Sequence, residues 1–163
     1  MIPRHLSVLF VIVATLWLTA CGYQLRGNGE LPEILARTHV QNAGGGYFWE
    51  RFDQSLETAG YRRVGDPAEA TVKMRVLEQG FDRRAVTIGG DAEVREYEIT
   101  GRLVMEVSRP GAEPETMDLE ASRVYEYDPA NVLAQNQEQS AIREEIDEAL
   151  LRQLLYRLEA LER

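Results

Sequence analysis

The chain has 163 residues, and its 27 acidic side chains outnumber its 18 basic ones, so its formal net charge is -9 at pH 7. Such an acidic surface argues against nucleic acid as a partner and against broad adhesion to an anionic membrane. Because 44% of the residues are hydrophobic, the composition excludes an intrinsically disordered chain, and the length suits one domain with an ordinary core.

The first 20 residues have the organisation of a secretory signal peptide. Arg4 and His5 provide a short basic start, an apolar run covers residues 6–18, and the small residues Thr19 and Ala20 follow. As a helix rising ~1.5 Å per residue, that run would span about 20 Å, which is short of a ~30 Å hydrocarbon core. We therefore expect residues 1–20 to be cleaved rather than kept as a membrane span.

Cys21 is the only cysteine, and it directly follows Leu18-Thr19-Ala20. This pattern resembles the bacterial lipobox, which predicts cleavage between Ala20 and Cys21, an S-diacylglycerol on Cys21 and acylation of its new amino group. Several acyl chains hold a protein on a bilayer far better than one. The alternative is a free thiol, which is a liability in an exported protein. By resemblance to sorted lipoproteins, Gly22 in place of an aspartate favours the outer membrane.

Residues 21–30 are rich in glycine and polar side chains, which predicts a lipidated tether in front of a single domain of residues 31–163. The domain opens with a short apolar pattern over Ile34–Gln41, the first predicted strand. After Gly44-Gly45-Gly46, apolar residues at helical spacing predict a helix that ends at Gly60. These apolar residues are Phe48, Phe52, Leu56 and Ala59.

From residue 70 onward the apolar period changes to two, which is typical of strands with one buried face. The alternation runs from Val72 to Val76 and again from Tyr97 to Val107. After a turn at Pro110-Gly111, it continues from Met117 to Tyr127. Consecutive strands joined by turns are expected to pair antiparallel.

The C-terminal segment returns to a helical period. From Ile142 to Leu161 the apolar residues step by four or three, and the opposite side is charged, with Glu148 and Arg152 spaced for an i,i+4 pair. The order strand, helix, three strands, helix predicts an α+β fold. In it, two helices pack on one face of a four-stranded, mostly antiparallel sheet.

No catalytic constellation stands out in the sequence. His39 is the only histidine beyond the leader, and within a strand it is more typical of a structural residue than of a base or ligand. Gly44-Gly45-Gly46 lacks the Lys-Ser/Thr of a phosphate loop. Glu96 and Glu98 share a sheet face, but a glycosidase pair also needs a pocket. We predict a protein that is not an enzyme and needs no metal or cofactor.

Three arginines flank the turn predicted at Ile88-Gly89-Gly90-Asp91. Arg83 and Arg84 precede it and Arg95 follows it, so they form a basic patch at one end of the sheet. Guanidinium groups match phosphate oxygens, which makes the patch a candidate site for a phosphorylated or acidic ligand. The alternative is routine solubilising charge near a turn.

Two segments resemble the LptE family of lipopolysaccharide-assembly lipoproteins. The first is Cys21 to Gly27, and the second and more specific one runs from Arg123 to Gln139. The predicted order of elements is similar to that family's sheet backed by two helices, so the resemblance covers essentially the whole mature chain.

The resemblance implies a lipoprotein anchored on the periplasmic side of the outer membrane. Members of the family plug the LptD β-barrel as a heterodimer, help it assemble and bind lipopolysaccharide. Arg83, Arg84 and Arg95 would then contact the lipid A phosphates, with or without divalent cations, although Gln135 stands where a basic partner would be natural. The alternative function is a periplasmic lipid-binding or transporter-accessory lipoprotein without a barrel partner.

Overall fold

The computed structural model of the chain describes residues 31–90, 93–128 and 131–161. The predictions for the signal peptide, for the tether and for Cys21 lie outside these residues. Within the described ranges, no helix is both long enough and apolar enough to cross a membrane.

The described residues form five strands and two α-helices. In chain order, the first half contains a 3-10 turn (Glu33–Leu35), β1 (Arg37–Gln41), α1 (Tyr47–Thr58) and β2 (Arg62–Arg63). A second 3-10 turn (Pro67–Glu69) then precedes β3 (Val72–Ile88), β4 (Val94–Ser108), β5 (Glu115–Glu126) and α2 (Val132–Leu161).

The sheet is mixed, with its strands in the order β2-β1-β3-β4-β5. β1 runs parallel to both β2 and β3, whereas β3, β4 and β5 pair antiparallel. The prediction of four strands in a mostly antiparallel sheet is therefore wrong in strand number and in pairing. The missed strand, Arg62–Arg63, is too short to show a period, and the crossover through α1 returns the chain parallel to β1.

Both helices pack on the same face of the sheet, as predicted, and the α+β class is confirmed. This face, named the inner face, carries apolar side chains that join those of the helices in one core cluster. The opposite face, named the open face, carries mainly polar and charged side chains. The buried strand residues are Val72, Met74 and Val76 in β3, Ile99, Leu103, Met105 and Val107 in β4, and Met117, Leu119 and Tyr125 in β5.

The second helix begins at Val132, well before Ile142, where the sequence pattern predicted its start. After Val132-Leu133-Ala134, residues 135–140 are all polar, so no apolar period continues from the start of the helix to Ile142. The motif from Arg123 to Gln139 therefore spans the end of β5 and the beginning of α2. Further along, the predicted stripe is buried at Ile146, Leu150, Leu151, Leu154 and Leu158.

The first helix confirms three of the four predicted apolar positions, because Phe48, Phe52 and Leu56 are buried, whereas Ala59 is the exposed C-cap residue. The chain leaves it through Gly60, whose φ of 77° is a left-handed conformation that glycine adopts without strain. Its N-cap is Gly46, which has no side chain to accept hydrogen bonds from the free amides of the first turn.

A carboxylate from α2 meets those free amides. Asp147 is buried, and the backbone N–H of Phe48 lies near enough to its carboxylate to favour the charged form. The Tyr47 hydroxyl donates to Glu148 at 2.8 Å. Burial raises the pKa of Asp147 to about 6 against the opposing effect of the Phe48 amide, and the nearby charge of Glu144 adds to the rise. Asp147 thus joins the two helices at the positive end of α1.

A glycine in β4 decides how closely α2 approaches the sheet. A Cβ added to Gly101 would overlap Cγ2 of Ile146 and would lie 3.0 Å from the Phe81 ring. Ile146 is fully buried in the core, so it has little room to move away. Any side chain at this position therefore forces the helix and the sheet apart.

We expect Gly101→Ala to lower the free energy of unfolding by about 1–3 kcal/mol, the usual cost of overpacking a core. The matched control is Gly80→Ala in β3, where an added Cβ meets no atom within 4 Å. That variant should change stability by less than about 1 kcal/mol, in the stabilising direction if at all. Urea unfolding monitored by circular dichroism measures both, and equal effects would contradict the close approach at Gly101.

We expect Asp147→Asn to change how stability depends on pH. Because the pKa of Asp147 is raised in the folded state, its contribution to stability is fully present below about pH 4 and is lost as pH rises through about 6. The asparagine stays neutral, so the variant should equal the wild type near pH 4 and exceed it at pH 7.5 by on the order of 1 kcal/mol. Urea unfolding at several pH values tests this, and a difference that does not vary with pH would refute it.

Candidate functional site

The candidate site lies on the inner face, toward the end of the sheet that carries the β3–β4 turn. The register of β3 against β4 shifts between Val76 and Glu78, which leaves Leu77 as an extra residue. Beyond this bulge Arg83 pairs with the buried Ile99 and therefore belongs to the inner face. The bulge thus brings a charged side chain to the helix side of the sheet.

Arg83 lies on a group of tyrosines. Its guanidinium carbon is 4.4 Å from the ring centroid of Tyr97, within the range of a cation–π contact. Tyr97 stacks on Tyr125 with centroids 6.1 Å apart and meets Tyr127 edge-on at 5.2 Å. These contacts hold the Tyr97 ring in place beneath the guanidinium.

The Tyr125 hydroxyl is buried and forms no hydrogen bond of normal length and angle. The hydroxyl nevertheless lies close enough to interact with the Arg83 guanidinium. This interaction is the main reason why the pKa of Arg83 is raised. Since arginine is protonated at any physiological pH, this contact affects where the side chain sits and leaves its charge unchanged.

A second cation lies beside the first, and it comes from α2. The Arg143 guanidinium carbon is 5.7 Å from the ring centroid of Phe81, a β3 residue that is 40% exposed. Phe81 precedes Arg83 by two positions and shares its face. Neither residue stands out in the sequence as a site residue, because Phe81 follows no apolar period and Arg143 belongs to the charged side of a helix.

Arg84 does not join this group. It pairs with Glu98 across the strands on the open face, with its Nε 2.6 Å from the carboxylate. The Arg84 guanidinium, aided by the Ser122 hydroxyl, lowers the pKa of Glu98. The predicted patch is therefore divided between two faces, since neighbouring residues in a strand point in opposite directions.

Arg95 lies near the β3–β4 turn, at the beginning of β4. Its guanidinium is 3.7 Å from the Glu93 carboxylate, and its carbonyl accepts a hydrogen bond from the Tyr127 amide. Arg95 therefore borders the tyrosine group through its backbone, while a carboxylate already faces its charge.

The open face is a surface of paired charges. Arg102 donates two hydrogen bonds to Asp118, at 2.6 and 3.0 Å, and lies 3.3 Å from Glu78. The bidentate contact lowers the pKa of Asp118 and raises that of Arg102. Together with the Arg84–Glu98 pair, these contacts give each arginine at the centre of the open face a carboxylate partner.

The described residues hold no group of three or more His, Cys, Asp or Glu side chains arranged to bind a metal ion. His39 is half-buried in β1, with its Nδ1 3.0 Å from the Val64 carbonyl oxygen. This contact fits the structural role that the sequence predicts for it.

Comparison with known proteins gives a consistent result. The LptE family, described as lipopolysaccharide-assembly, matches residues 35–158. An LPS-assembly lipoprotein LptE from Pectobacterium atrosepticum is 28% identical over 159 residues, covering 95% of this chain and 86% of that protein. One from Yersinia enterocolitica is 22% identical over 158 residues, covering 95% and 76%.

Solved structures share the fold. The crystal structure of rare lipoprotein B from Shewanella oneidensis superposes with a TM-score of 0.69 at 19% identity, covering 77% of this chain and 96% of that one. The solution structure of lipoprotein B from Nitrosomonas europaea also gives 0.69, at 16% identity, covering 86% and 92%. At such identities the likeness establishes the architecture alone.

Proposed function

The chain belongs to the LptE family of lipopolysaccharide-assembly lipoproteins, and we propose that it acts with an LptD β-barrel to place lipopolysaccharide in the outer leaflet of the outer membrane. The observation that carries the proposal is the family match over residues 35–158, which extends from the 3-10 turn before β1 nearly to the end of α2. The two relatives are themselves named for lipopolysaccharide assembly. A non-enzymatic role agrees with this family.

Within the machinery, we assign the domain the role of a plug and assembly partner inside the barrel lumen, in a heterodimer. The interior of an outer-membrane barrel is polar. The open face suits such a surface, because its arginines are already paired with carboxylates. A paired charge keeps its partner when water is displaced, so covering this face leaves fewer unpaired ions than covering a face of free charges.

The lipid anchor places the domain at the membrane. Acylated Cys21 would be followed by residues 22–30, and the described fold begins at Leu31, whose carbonyl accepts a hydrogen bond from the Tyr61 hydroxyl at 3.1 Å. An extended tether of that length reaches about 30 Å at most. The domain would therefore stay close to the periplasmic surface of the outer membrane.

We propose that lipopolysaccharide contacts the inner-face group that contains Arg83, with Arg95 at its border. Arg83 has no carboxylate within 4.0 Å among the described residues, so its charge is available to an anionic ligand. Arg84, although predicted for the same role, faces the other side of the sheet and is held by Glu98.

Co-purification from native membranes tests the partnership. We expect the tagged lipoprotein, extracted in mild detergent, to bring down a large β-barrel protein at a ratio of about 1:1, because a plug is enclosed by its barrel. Recovery alone, or with inner-membrane components, would favour a transporter-accessory lipoprotein and contradict the barrel role.

The matched control for the anchor is Cys21→Ser in the same preparation. Intact mass spectrometry should find acyl chains on the wild-type N-terminus and none on the variant, which lacks the sulfur that receives the diacylglycerol. If the wild-type protein carries no acyl chains, the predicted lipid anchor is wrong. This result would not affect the proposed partnership with the barrel.

A further inference from the structure

One corner of the open face is the exception to its paired charges. Arg37 in β1, Arg62 in β2 and Lys73 in β3 are exposed there. None of them has a carboxylate within 4.0 Å among the described residues. We name these three residues the corner. Because acidic side chains exceed basic ones in the whole chain by 27 to 18, three neighbouring cations without a partner are unexpected.

Strand geometry puts the three side chains of the corner on one face of the sheet. Thr38 is buried on the inner face, so its neighbour Arg37 points to the open face. Arg62 is the register partner of Arg37 and points the same way. Val72 is buried on the inner face, so Lys73 after it points to the open face as well. The three cations therefore face away from the helices.

The register also brings the cations close to one another. Arg37 and Arg62 are paired across neighbouring strands, which lie about 4.8 Å apart. Lys73 is paired with His39, which follows Arg37 on the same face at about 7 Å along β1. Like charges placed directly opposite each other destabilise a sheet. The fold thus contains a repulsion that an anion bound at the corner would relieve.

Backbone hydrogen bonds hold the corner in position. The Arg37 amide donates to the Thr71 hydroxyl at 3.1 Å, and the Arg37 carbonyl accepts from the Thr71 amide at 2.8 Å. The Arg62 amide donates to the Ala36 carbonyl at 3.3 Å. The charges are therefore presented by strands of the sheet rather than by a loop.

The corner lies where the chain enters the domain. The described fold begins at Leu31, whose carbonyl accepts a hydrogen bond from the hydroxyl of Tyr61, the residue before Arg62. Because β1 runs parallel to β2 and to β3, the beginnings of the three strands lie at one edge of the sheet. The tether of residues 22–30, which reaches about 30 Å at most, would keep this edge close to the bilayer that holds the anchor.

We infer that the corner binds the anionic phospholipid headgroups of that bilayer. The inference rests on the lipid anchor of the proposed function and is independent of the barrel. Each Lys or Arg near an anionic lipid surface contributes about 1 kcal/mol, so three of them can orient a domain that a tether already holds there. The same surface repels the rest of the domain, since the net charge of the chain is -9. The corner therefore determines which side of the domain turns toward the membrane.

This orientation places the candidate site away from the headgroups. Arg83 lies ten residues beyond Lys73 in β3, which corresponds to about 33 Å along a strand. The hydrocarbon core of a bilayer is ~30 Å thick. A strand that stands upright on the periplasmic headgroups would thus carry Arg83 to about the level of the outer leaflet, which agrees with the proposed function.

The test measures how closely each end of the sheet approaches the headgroups. The acylated lipoprotein is reconstituted into vesicles that contain a lipid with a nitroxide on its headgroup, which quenches nearby fluorophores. One fluorophore is attached at Gly65→Cys, three residues after Arg62, and another at Gly90→Cys in the β3–β4 turn. Both positions are exposed, and an added Cβ meets no atom within 4 Å at either. The new cysteine carries the only free thiol, because acylation blocks Cys21.

Phosphatidylglycerol provides the anionic surface, and phosphatidylcholine replaces it in the control vesicles. We expect quenching of the wild type at position 65 to be at least about twofold stronger with phosphatidylglycerol, and quenching at position 90 to be the same in both. High salt should abolish the difference at position 65, because ~1 M salt shortens the Debye length to about 3 Å.

Two triple variants remove equal charge from different places. The corner variant is Arg37→Gln/Arg62→Gln/Lys73→Gln. The matched control, at exposed positions of the two helices, is Arg51→Gln/Arg152→Gln/Arg157→Gln. We expect the corner variant to be quenched equally in the two kinds of vesicle and the control to respond as the wild type does. Thermal unfolding of each variant confirms that the fold is intact.

A second preparation makes the test independent of acylation. The mature chain with Cys21→Ser and an N-terminal histidine tag is held on the vesicles by a nickel-chelating lipid. We expect the same dependence on phosphatidylglycerol and on the corner, because the tether enters the domain at the same place. A failed anchor and a failed corner can therefore be told apart.

Three results would overturn the inference. They are wild-type quenching that does not depend on phosphatidylglycerol, equal losses in the two triple variants, and equal quenching at positions 65 and 90. If the corner variant loses the barrel during co-purification while its quenching stays as in the wild type, the corner binds an acidic protein partner and the membrane assignment is wrong. Failure to recover the barrel with any variant or with the wild type would contradict the proposed function without affecting the vesicle result.

Discussion

One extra residue in β3 determines which side chains the sheet presents to the helices. Before the bulge at Leu77, the even-numbered residues of β3 enter the core, as Val72 and Met74 do. After it, the odd-numbered residues take that face, so Phe81 and Arg83 stand on the helix side. Without the shift, the even-numbered neighbours Asp82 and Arg84 would occupy the inner face, and Phe81 and Arg83 would lie on the open face.

The two halves of the inner face differ in their packing. At one end, apolar residues from three strands and both helices form a closed core, and Gly101 lets α2 sit close to the sheet. At the other end, near the β3–β4 turn, aromatic rings and guanidinium groups replace aliphatic side chains. The dense core fixes the position of α2, and α2 in turn places Arg143 over the Phe81 ring. The candidate site is therefore held by rigid elements rather than by loops.

Sequence periodicity predicted the elements whose burial repeats regularly. The alternation from Tyr97 to Val107 and the apolar side of α1 were visible because each element buries one face only. β2 was missed because two residues contain no period, and the early start of α2 was missed because the polar residues 135–140 interrupt its apolar period. That Arg83 and Arg84 face opposite ways follows from strand geometry, but which of them meets the helices depends on the bulge. The partnership of Phe81 with Arg143 comes from tertiary packing, which local patterns do not encode.

The proposed function requires the protein for delivery of lipopolysaccharide to the cell surface. Depletion of the protein in the bacterium that encodes it, followed by pulse labelling of lipopolysaccharide and detection at the surface, measures this delivery directly. In depleted cells, we expect newly made lipopolysaccharide to fail to reach the outer leaflet, and we expect a plasmid copy of the gene to restore its delivery. Normal surface delivery in cells that lack the protein would rule out the proposed function.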